Sequence, residues 1–566
     1  MSDKLQSGSP RLRESIARLE RYRQGKRRLD ARLYDEAMWW QSRHETAPAE
    51  GDSRRSGKPV SAWLFNSICN KHADLCDRMP ICTALPREPG DRADAALLSA
   101  VLPVVAARCR LKKTYSDNAW IKLRHGTAVY GVFWNPALEN GIGDIDIRRV
   151  DILNLFWEPG VTDIQDSPHL YLVGLEDRAA LESRYPVLAE AVRQGRLDPD
   201  STPADGASLL GSGGSYLLRE RDGCPEKYTV VDWYYRKALP DGRTVLHYAK
   251  YVGDILLYAS ENDPACAERG WYDHGLYPFV PDVLFPEADS PAGYGLIAVG
   301  RNPQGYIDEL DGHILEYANW ASRVRYWAKR SLGINEKEFL DPDRRIIQVE
   351  GDMDEEKLRQ ITLSPMDGML SEVRQMKIEE LKETTGTRDV NQGMSGGVTA
   401  ASAITALQEA GDKSSRDCVS GSYRAYVAVM EQVVELIRQF YTGTRCFRIA
   451  GDGGWKYIRY SNRGLRDRVT GTDAAGNPLR RRPVFDIDVR AERENPLDRA
   501  GRNELMLSLF RAGMFDPDRR AAATLALSDM DFDGIDALRA AVAPAAVAAV
   551  APAAVATVAP TAGDSE

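Results

Sequence analysis

Gly393-Met394-Ser395-Gly396-Gly397 has the G-x-S-x-G spacing of a nucleophile elbow. That turn presents an active serine only when a strand feeds it and a catalytic histidine follows in the chain. Here a polar stretch precedes it, and the last histidine is His313. Ser395 is therefore read as part of a flexible loop whose glycines permit unusual backbone angles. Asp529-Met530-Asp531-Phe532-Asp533-Gly534 opens like a calcium loop, but its twelfth position is Ala540 and the bidentate glutamate is missing. GIGDID (141–146) lacks the third glycine of a dinucleotide fingerprint and leads into a strand pattern. Neither a phosphate-cradling G-x-x-x-x-G-K-[ST] nor a zinc-binding H-E-x-x-H occurs. The seven histidines are scattered singly, and none of the eight cysteines forms a C-x-x-C pair, so the thiols read as reduced and structural. No catalytic residue, metal site or cofactor is assigned, and the chain is read as a non-enzyme.

Composition points the same way. The chain has 566 residues, 43 % apolar and 28 % charged, enough to bury cores in several domains. Eleven Trp and 24 Tyr exclude a disordered chain. A net charge of −9 argues against sequence-blind coating of DNA, which needs phosphate neutralisation by Lys and Arg. Prolines at 544, 552 and 560 interrupt the one long uncharged stretch, and the first residues lack a signal-peptide core. The expectation is a cytosolic product with no membrane partner.

The elements follow from periodicity. Residues 11–32 hold nine basic and three acidic residues with a thin apolar stripe (Ile16, Leu19, Leu29, Leu33), predicting a charged surface helix or arm. A helix over 61–83 places Leu64, Ile68, Leu75 and Met79 on one face, and 94–122 is helical again. A strand-rich block follows at 128–136, 144–159, 169–177, 227–237 and 244–260; the composition of 198–215 is that of a mobile loop. Asn302 and Pro303 then predict a helix start, with Ile307, Leu310, Ile314, Tyr317, Ala321, Val324 and Trp327 at steps of three and four up to Gly333. Acidic residues crowd its first half and Arg323, Arg325, Lys329 and Arg330 its second, an order that suits the helix dipole. Side by side, such helices leave a basic ring. IIQV (346–349) predicts a strand. Ser371 predicts the cap of a second helix with Val373, Met376 and Leu381 on one side. A Gly/Ser/Thr loop leads to a helix from about 399 to 441, bent at Gly411 and at Ser420-Gly421-Ser422. Residues 446–490 read as strands, 497–540 as helices, and the Ala/Pro/Val tail as disordered.

This order resembles the portal proteins of tailed bacteriophages. The likeness is carried by YPFVPDVLFPEADSPAGYGL (277–296) leading to a long helix with Gln304, Asp308, Tyr317 and Asn319. A small α/β insertion and a returning helix follow, then a glycine-rich loop and a helix opening on Ala400, Ala401 and Ser402. FDIDVRAERENPLDRAGRNELM (485–506) and RVDILNLFWEPGVTDIQDSPHLY (149–171) add to it.

The resemblance implies an α+β multidomain fold with wing, long-helix stem, small α/β clip and helical crown. Its parts would be a basic N-terminal arm or helix (1–60), a wing (61–300), stem helices (301–332 and 371–387), a clip (333–370) and a tunnel loop (388–398). A long wing helix with a β segment (399–496), crown helices (497–540) and a tail (541–566) would complete it. It implies a homo-oligomeric ring, usually a dodecamer, at a capsid vertex of the virion, assembled in the host cytoplasm. Its partners would be double-stranded DNA, the terminase large subunit, a head–tail adaptor, and scaffolding and major capsid proteins. It places Arg323, Arg325, Lys329, Arg330 and Arg388 as DNA-channel candidates. Asp389, Asn391, Gln392, Gly393, Met394, Ser395, Gly396 and Gly397 would form the tunnel loop. Asp341, Asp343, Arg344, Arg345, Glu350, Asp352, Asp354 and Glu355 would be the docking surface of a clip with net charge −5. An acidic bore repels phosphates, so DNA would slide through it. The other readings are a different phage structural or scaffold-binding oligomer, and an enzyme with an unrecognised site.

Overall fold

The computed structural model describes residues 5–41, 60–196, 227–240, 242–322, 325–328, 358–361, 366, 368–386, 413–451, 454–472 and 478–493, with 508, 510, 511 and 513 further on. The chain divides into two units, Met1–Glu492 and Arg493–Glu566. In the second, Gly513 donates its N–H to the Phe510 carbonyl at 3.0 Å. The sequence expectations for 198–215, 346–349, the serine-containing loop, the calcium-like loop and the tail fall outside the described residues.

The first unit is built from helices and mainly antiparallel strands. Helix α1 (Pro10–Trp40) starts where Pro10 takes the first position and Ser9 accepts a hydrogen bond from the Leu12 amide. Then come α2 (Trp63–Asp77), β1 (Arg78–Pro86), α3 (Arg92–Arg108), α4 (Leu111–His125), β2 (Thr127–Asn135), β3 (Asp144–Val150), β4 (Leu155–Phe156) and β5 (His169–Asp177). Two short helices, α5 (Arg178–Arg184) and α6 (Pro186–Arg193), lead to β6 (Lys227–Ala238), β7 (Thr244–Val252), β8 (Ile255–Ala259) and β9 (Phe279–Val283).

Strands β4 to β8 form one antiparallel sheet in sequence order; β3-β2-β9 form another. Register decides what the larger sheet shows to each side. Tyr171, Trp233 and Ala249 stand opposite one another, as do Val173, Val231 and Tyr251. Alternation puts these residues on one face, and Leu5, Leu12, Leu19 and Tyr22 of the N-terminal segment cover them. On the other face Leu181 and Leu188 of α5 and α6 pack on Tyr228, Val230 and Ile255. Residues 10–40 are thus a docked helix and not a loose arm. The charge count hid this because Leu12 and Tyr22, outside the expected stripe, carry the contact.

One carboxylate fastens α1 to the sheet. Glu261 receives both Arg11 guanidinium nitrogens (3.0 and 3.1 Å), the Tyr235 hydroxyl (2.8 Å) and the Lys237 ammonium. Burial opposes its charge, but these donors outweigh burial and hold its carboxyl down at about 2. A depressed folded-state pKa contributes stability that is complete above the ordinary glutamate value and drains away as pH falls towards 2. Glu261→Gln is therefore expected to cost about 1–3 kcal/mol at pH 7. It should also flatten the loss of melting temperature between about pH 4.5 and 2. A variant that melts in parallel with the parent across that window would remove Glu261 from this role.

Three sequence boundaries shift. The helix expected over 61–83 stops at Asp77, and Met79 lies on β1, which pairs with β18 (Phe485–Arg493) some 400 residues on. The helical stretch at 94–122 is two helices, broken where Arg110 adopts φ 54°. Strand 244–260 is a β7–β8 hairpin. Among the described helices none is long and apolar enough to cross a membrane.

Candidate functional site

Short strands β10 (Phe285–Pro286) and β11 (Gly293–Tyr294) precede helix α7 (Leu296–Ser322), 27 residues or about 40 Å long. It ends in β12 (Arg325–Ala328), which pairs antiparallel with β13 (Leu358–Ile361), and α8 (Gly368–Thr385) returns along it. The helix expected to begin at Pro303 instead begins seven residues earlier, with Pro303 inside it and buried. Leu296, Ile297 and Ile307 pack there with Leu64 and Ile68 of α2 and Ile378 and Leu381 of α8. That burial outweighs the roughly 3 kcal/mol an internal proline costs. Gly300 permits the close approach: a Cβ there would lie 2.6 Å from a Leu64 methyl and 3.3 Å from one of Leu381.

The helix also stops ten residues short of the expected 332. Helical spacing predicts that residues 325–328 belong to it, yet they pair as a strand with 358–361. Tyr326 and Trp327 suit a strand as well as a helix, and a partner thirty residues away is invisible to periodicity. Helix α8 starts at Gly368, so Ser371 lies inside it and is not its cap. Met376, expected on the same side as Leu381, is 57 % exposed while Leu381 is buried.

Polar contacts fix the root of this hairpin. The Gln304 carbonyl oxygen accepts from the Leu64 amide at 3.0 Å, satisfying an orphan donor at the start of α2. Its NH2 donates to Ser61 Oγ (2.7 Å) and Asp308 Oδ1 (2.9 Å). Arg374 of α8 bridges to Asp311 of α7. Towards the tip, packing thins. No residue of α7 beyond Ile307 is buried; Leu315, Trp320 and Met369 there, and Tyr306 and Met376 nearer the root, are each about half exposed. Leu315 and Met376 stand out: large apolar side chains on helices that a single copy of the chain leaves in water.

After 387–412, outside the described residues, helix α9 (Lys413–Phe440) runs along the body, unbroken through Ser420-Gly421-Ser422 where bends were expected. The inward serines explain the difference. Ser415 accepts from the buried Lys71 ammonium at 2.8 Å and donates to Asp74 at 2.6 Å. One face along, Lys122 of α4, wholly buried, donates to Asp282 of β9 (2.6 Å), Ser422 Oγ (2.8 Å) and the Cys418 carbonyl (3.2 Å). Ser422 in turn donates to the other Asp282 oxygen at 2.8 Å. Burial pushes the neighbouring Cys418 thiol up to about 11, so it stays neutral. Strands β14 (Arg445–Gly451), β15 (Gly454–Tyr460), β16 (Arg468–Thr472) and β17 (Pro478–Arg481) form two hairpins before β18.

Of the channel candidates, only Arg325 is placed, on β12 opposite Ile361, and its side chain is not described. Arg323, Lys329, Arg330, Arg388, residues 389–397 and the eight docking candidates between 341 and 355 lie outside the described residues. The described residues show a rooted helical hairpin with half-exposed apolar side chains along it, and two polar latches holding α9. Sequence reasoning missed both latches, because a lysine at 122 and an aspartate at 282 carry no local sign of their pairing. Leu315 had a signal: it falls beside, not on, the stripe of Ile307, Ile314 and Tyr317.

Residues 324–562 match the family described as phage P22-like portal protein. The match takes in the β12–β13 pair, α8, α9 and the chain beyond to residue 562; the segments 149–171 and 277–296, which also carried the resemblance, precede it. No curated protein matches the chain.

Proposed function

We propose that this chain, a tailed-phage portal protein by its match to the P22-like family over residues 324–562, closes into a ring at one capsid vertex and conducts double-stranded DNA during packaging and ejection. The family is one of structural proteins of the phage capsid, and no catalytic step is assigned. In this reading α7 and α8 are the stem, residues 333–370 the clip that meets the terminase and later the adaptors, and 388–398 the tunnel loop. The strand-rich block with α9 is the wing. Arg323, Arg325, Lys329, Arg330 and Arg388 would steady the duplex as it passes an otherwise acidic bore.

The observation that supports this best is the set of half-exposed apolar side chains along the hairpin, Leu315 and Met376 among them. A neighbouring copy would bury Leu315 and Met376, and a cyclic arrangement repeats that burial at every junction. The double substitution Leu315→Glu, Met376→Glu puts charge into each junction while touching nothing buried in the single chain. Negative-stain images of the parent should show annuli with a central hole. The variant should sediment as monomers, with the far-UV spectrum of the parent. Rings that persist in the variant, or a parent that never closes, would overturn the proposal.

A further inference from the structure

The outward face of α1 carries an unbalanced row of arginines. Arg13, Arg21, Arg27 and Arg28 are exposed, and none has an ion-pair partner among the described residues. The acids of the same helix are all engaged elsewhere: Glu14 by Arg18 (2.5 Å), Glu20 by Arg23 (3.1 Å), Asp30 by Lys26 (3.0 Å), Asp35 by Arg301 and Glu36 by His125 (3.2 Å). Four positive charges thus stand along about 22 Å of a straight helix on a chain whose net charge is −9. One of them, Arg21, also acts on the sheet beneath: His169 is pushed down to about 4 by burial first and then by Arg18, Arg21 and Arg11. Glu158, which acts on the neighbouring Tyr22, is the acid on the flank.

We propose that this arginine ridge binds the phosphate backbone of duplex DNA without reading its sequence, on a surface separate from any channel. Guanidinium groups match phosphate oxygens with two parallel donors, and the row contains no exposed lysine. Between the arginines the exposed positions are Glu14, which is paired with Arg18, and Ala17, Gln24 and Gly25, small or polar. No apolar anchor of a protein interface is present there. Nor is there an exposed aromatic on which the bases of a single strand would stack, since Tyr22 is buried. A rigid rod of regularly spaced negative charge is what this chemistry fits, and a ridge of that length faces about a dozen phosphates. The inference does not rest on the ring, and the two fail separately.

The test is fluorescence anisotropy with a labelled duplex of arbitrary sequence and the full chain, titrated at several salt concentrations. Four phosphate contacts predict a log–log salt slope steeper by about 3–4 in the parent than in Arg13→Gln, Arg21→Gln, Arg27→Gln, Arg28→Gln. The parent should lose about 100-fold more affinity than this variant between about 50 and 200 mM salt. The matching set of four Arg→Lys changes should keep most of the slope. If DNA binds only through a bore, the Gln variant keeps the parent's slope and the proposal falls. It falls equally if the parent binds no DNA at low salt, or if polyglutamate competes as well as DNA at equal charge. Images of the same samples report ring formation independently, so annuli with an unchanged slope would reject the ridge and leave the portal reading standing.

Discussion

Replacing Lys122 by Met is expected to destabilise the first unit by about 3–5 kcal/mol, more than any exposed charge change. The ammonium is wholly buried among α4, β9 and α9, and its removal leaves the Asp282 carboxylate, also buried, with the Ser422 hydroxyl as its hydrogen-bond donor among the described residues. An uncompensated buried charge carries most of that penalty, because neither partner can be rehydrated without opening the helix contact. Two companions separate the causes. Lys122→Met with Asp282→Leu removes both charges and should recover much of the loss, since a buried pair replaced by apolar groups of similar size is often neutral. Ser422→Ala should cost about 1–3 kcal/mol, the price of one unmet hydrogen bond. Denaturant unfolding reads all three. If Lys122→Met unfolds at the parent's midpoint, the latch does not hold α9. The consequence reaches function because α9 follows the segment proposed as the tunnel loop in the chain, and its first turns are pinned by Lys71–Ser415–Asp74 and Lys122–Asp282–Ser422.

Gly126→Ala is the second large effect, expected at about 2–5 kcal/mol. Gly126 closes α4 with φ 87°, its amide donating to the Lys122 carbonyl at 2.8 Å, and its own carbonyl accepts from Leu284 at 2.7 Å. Any Cβ there meets two obstacles. The left-handed conformation disfavours it by about 1–2 kcal/mol. It would also lie 2.2 Å from the Tyr294 carbonyl carbon, backbone that cannot step aside. Gly295 faces it, where a Cβ would sit 2.3 Å from the Arg124 carbonyl oxygen. Gly295→Ala has the collision without the positive φ, so it should cost less, about 1–3 kcal/mol. Gly305→Ala, in α7 with nothing within 4 Å, is the control and should be neutral or stabilising by up to about 1 kcal/mol. Thermal unfolding that ranks the three differently would reject the argument. These two glycines set how closely the root of α7 passes the end of α4, and so where the hairpin leaves the body.

Local pattern carried a great deal. The strands at 127–135, 169–177 and 485–493 follow from runs of β-branched and aromatic residues bounded by turns. The long helices follow from steps of three and four, and the order of elements was enough to point to the portal family, which the match over 324–562 supports. Where two local signals competed, pattern was misleading. Pro303 marks helix starts by its own chemistry, yet burial of Leu296 and Ile297 extends the helix past it. Tyr326 and Trp327 fit either period, and their pairing with residues 359 and 360 made them strand.

From its residues alone the chain reads as an α+β protein with long helices and a portal-like order, because composition and periodicity act within a few turns of backbone and need no partner. Only the tertiary structure decided that α1 is a docked helix with an arginine ridge outside, that Lys122 meets Asp282 and Ser422, and that Leu315 and Met376 stand in water. Those outcomes depend on residues up to 300 positions apart, and burial is a property of what packs alongside, which no single stretch of sequence contains.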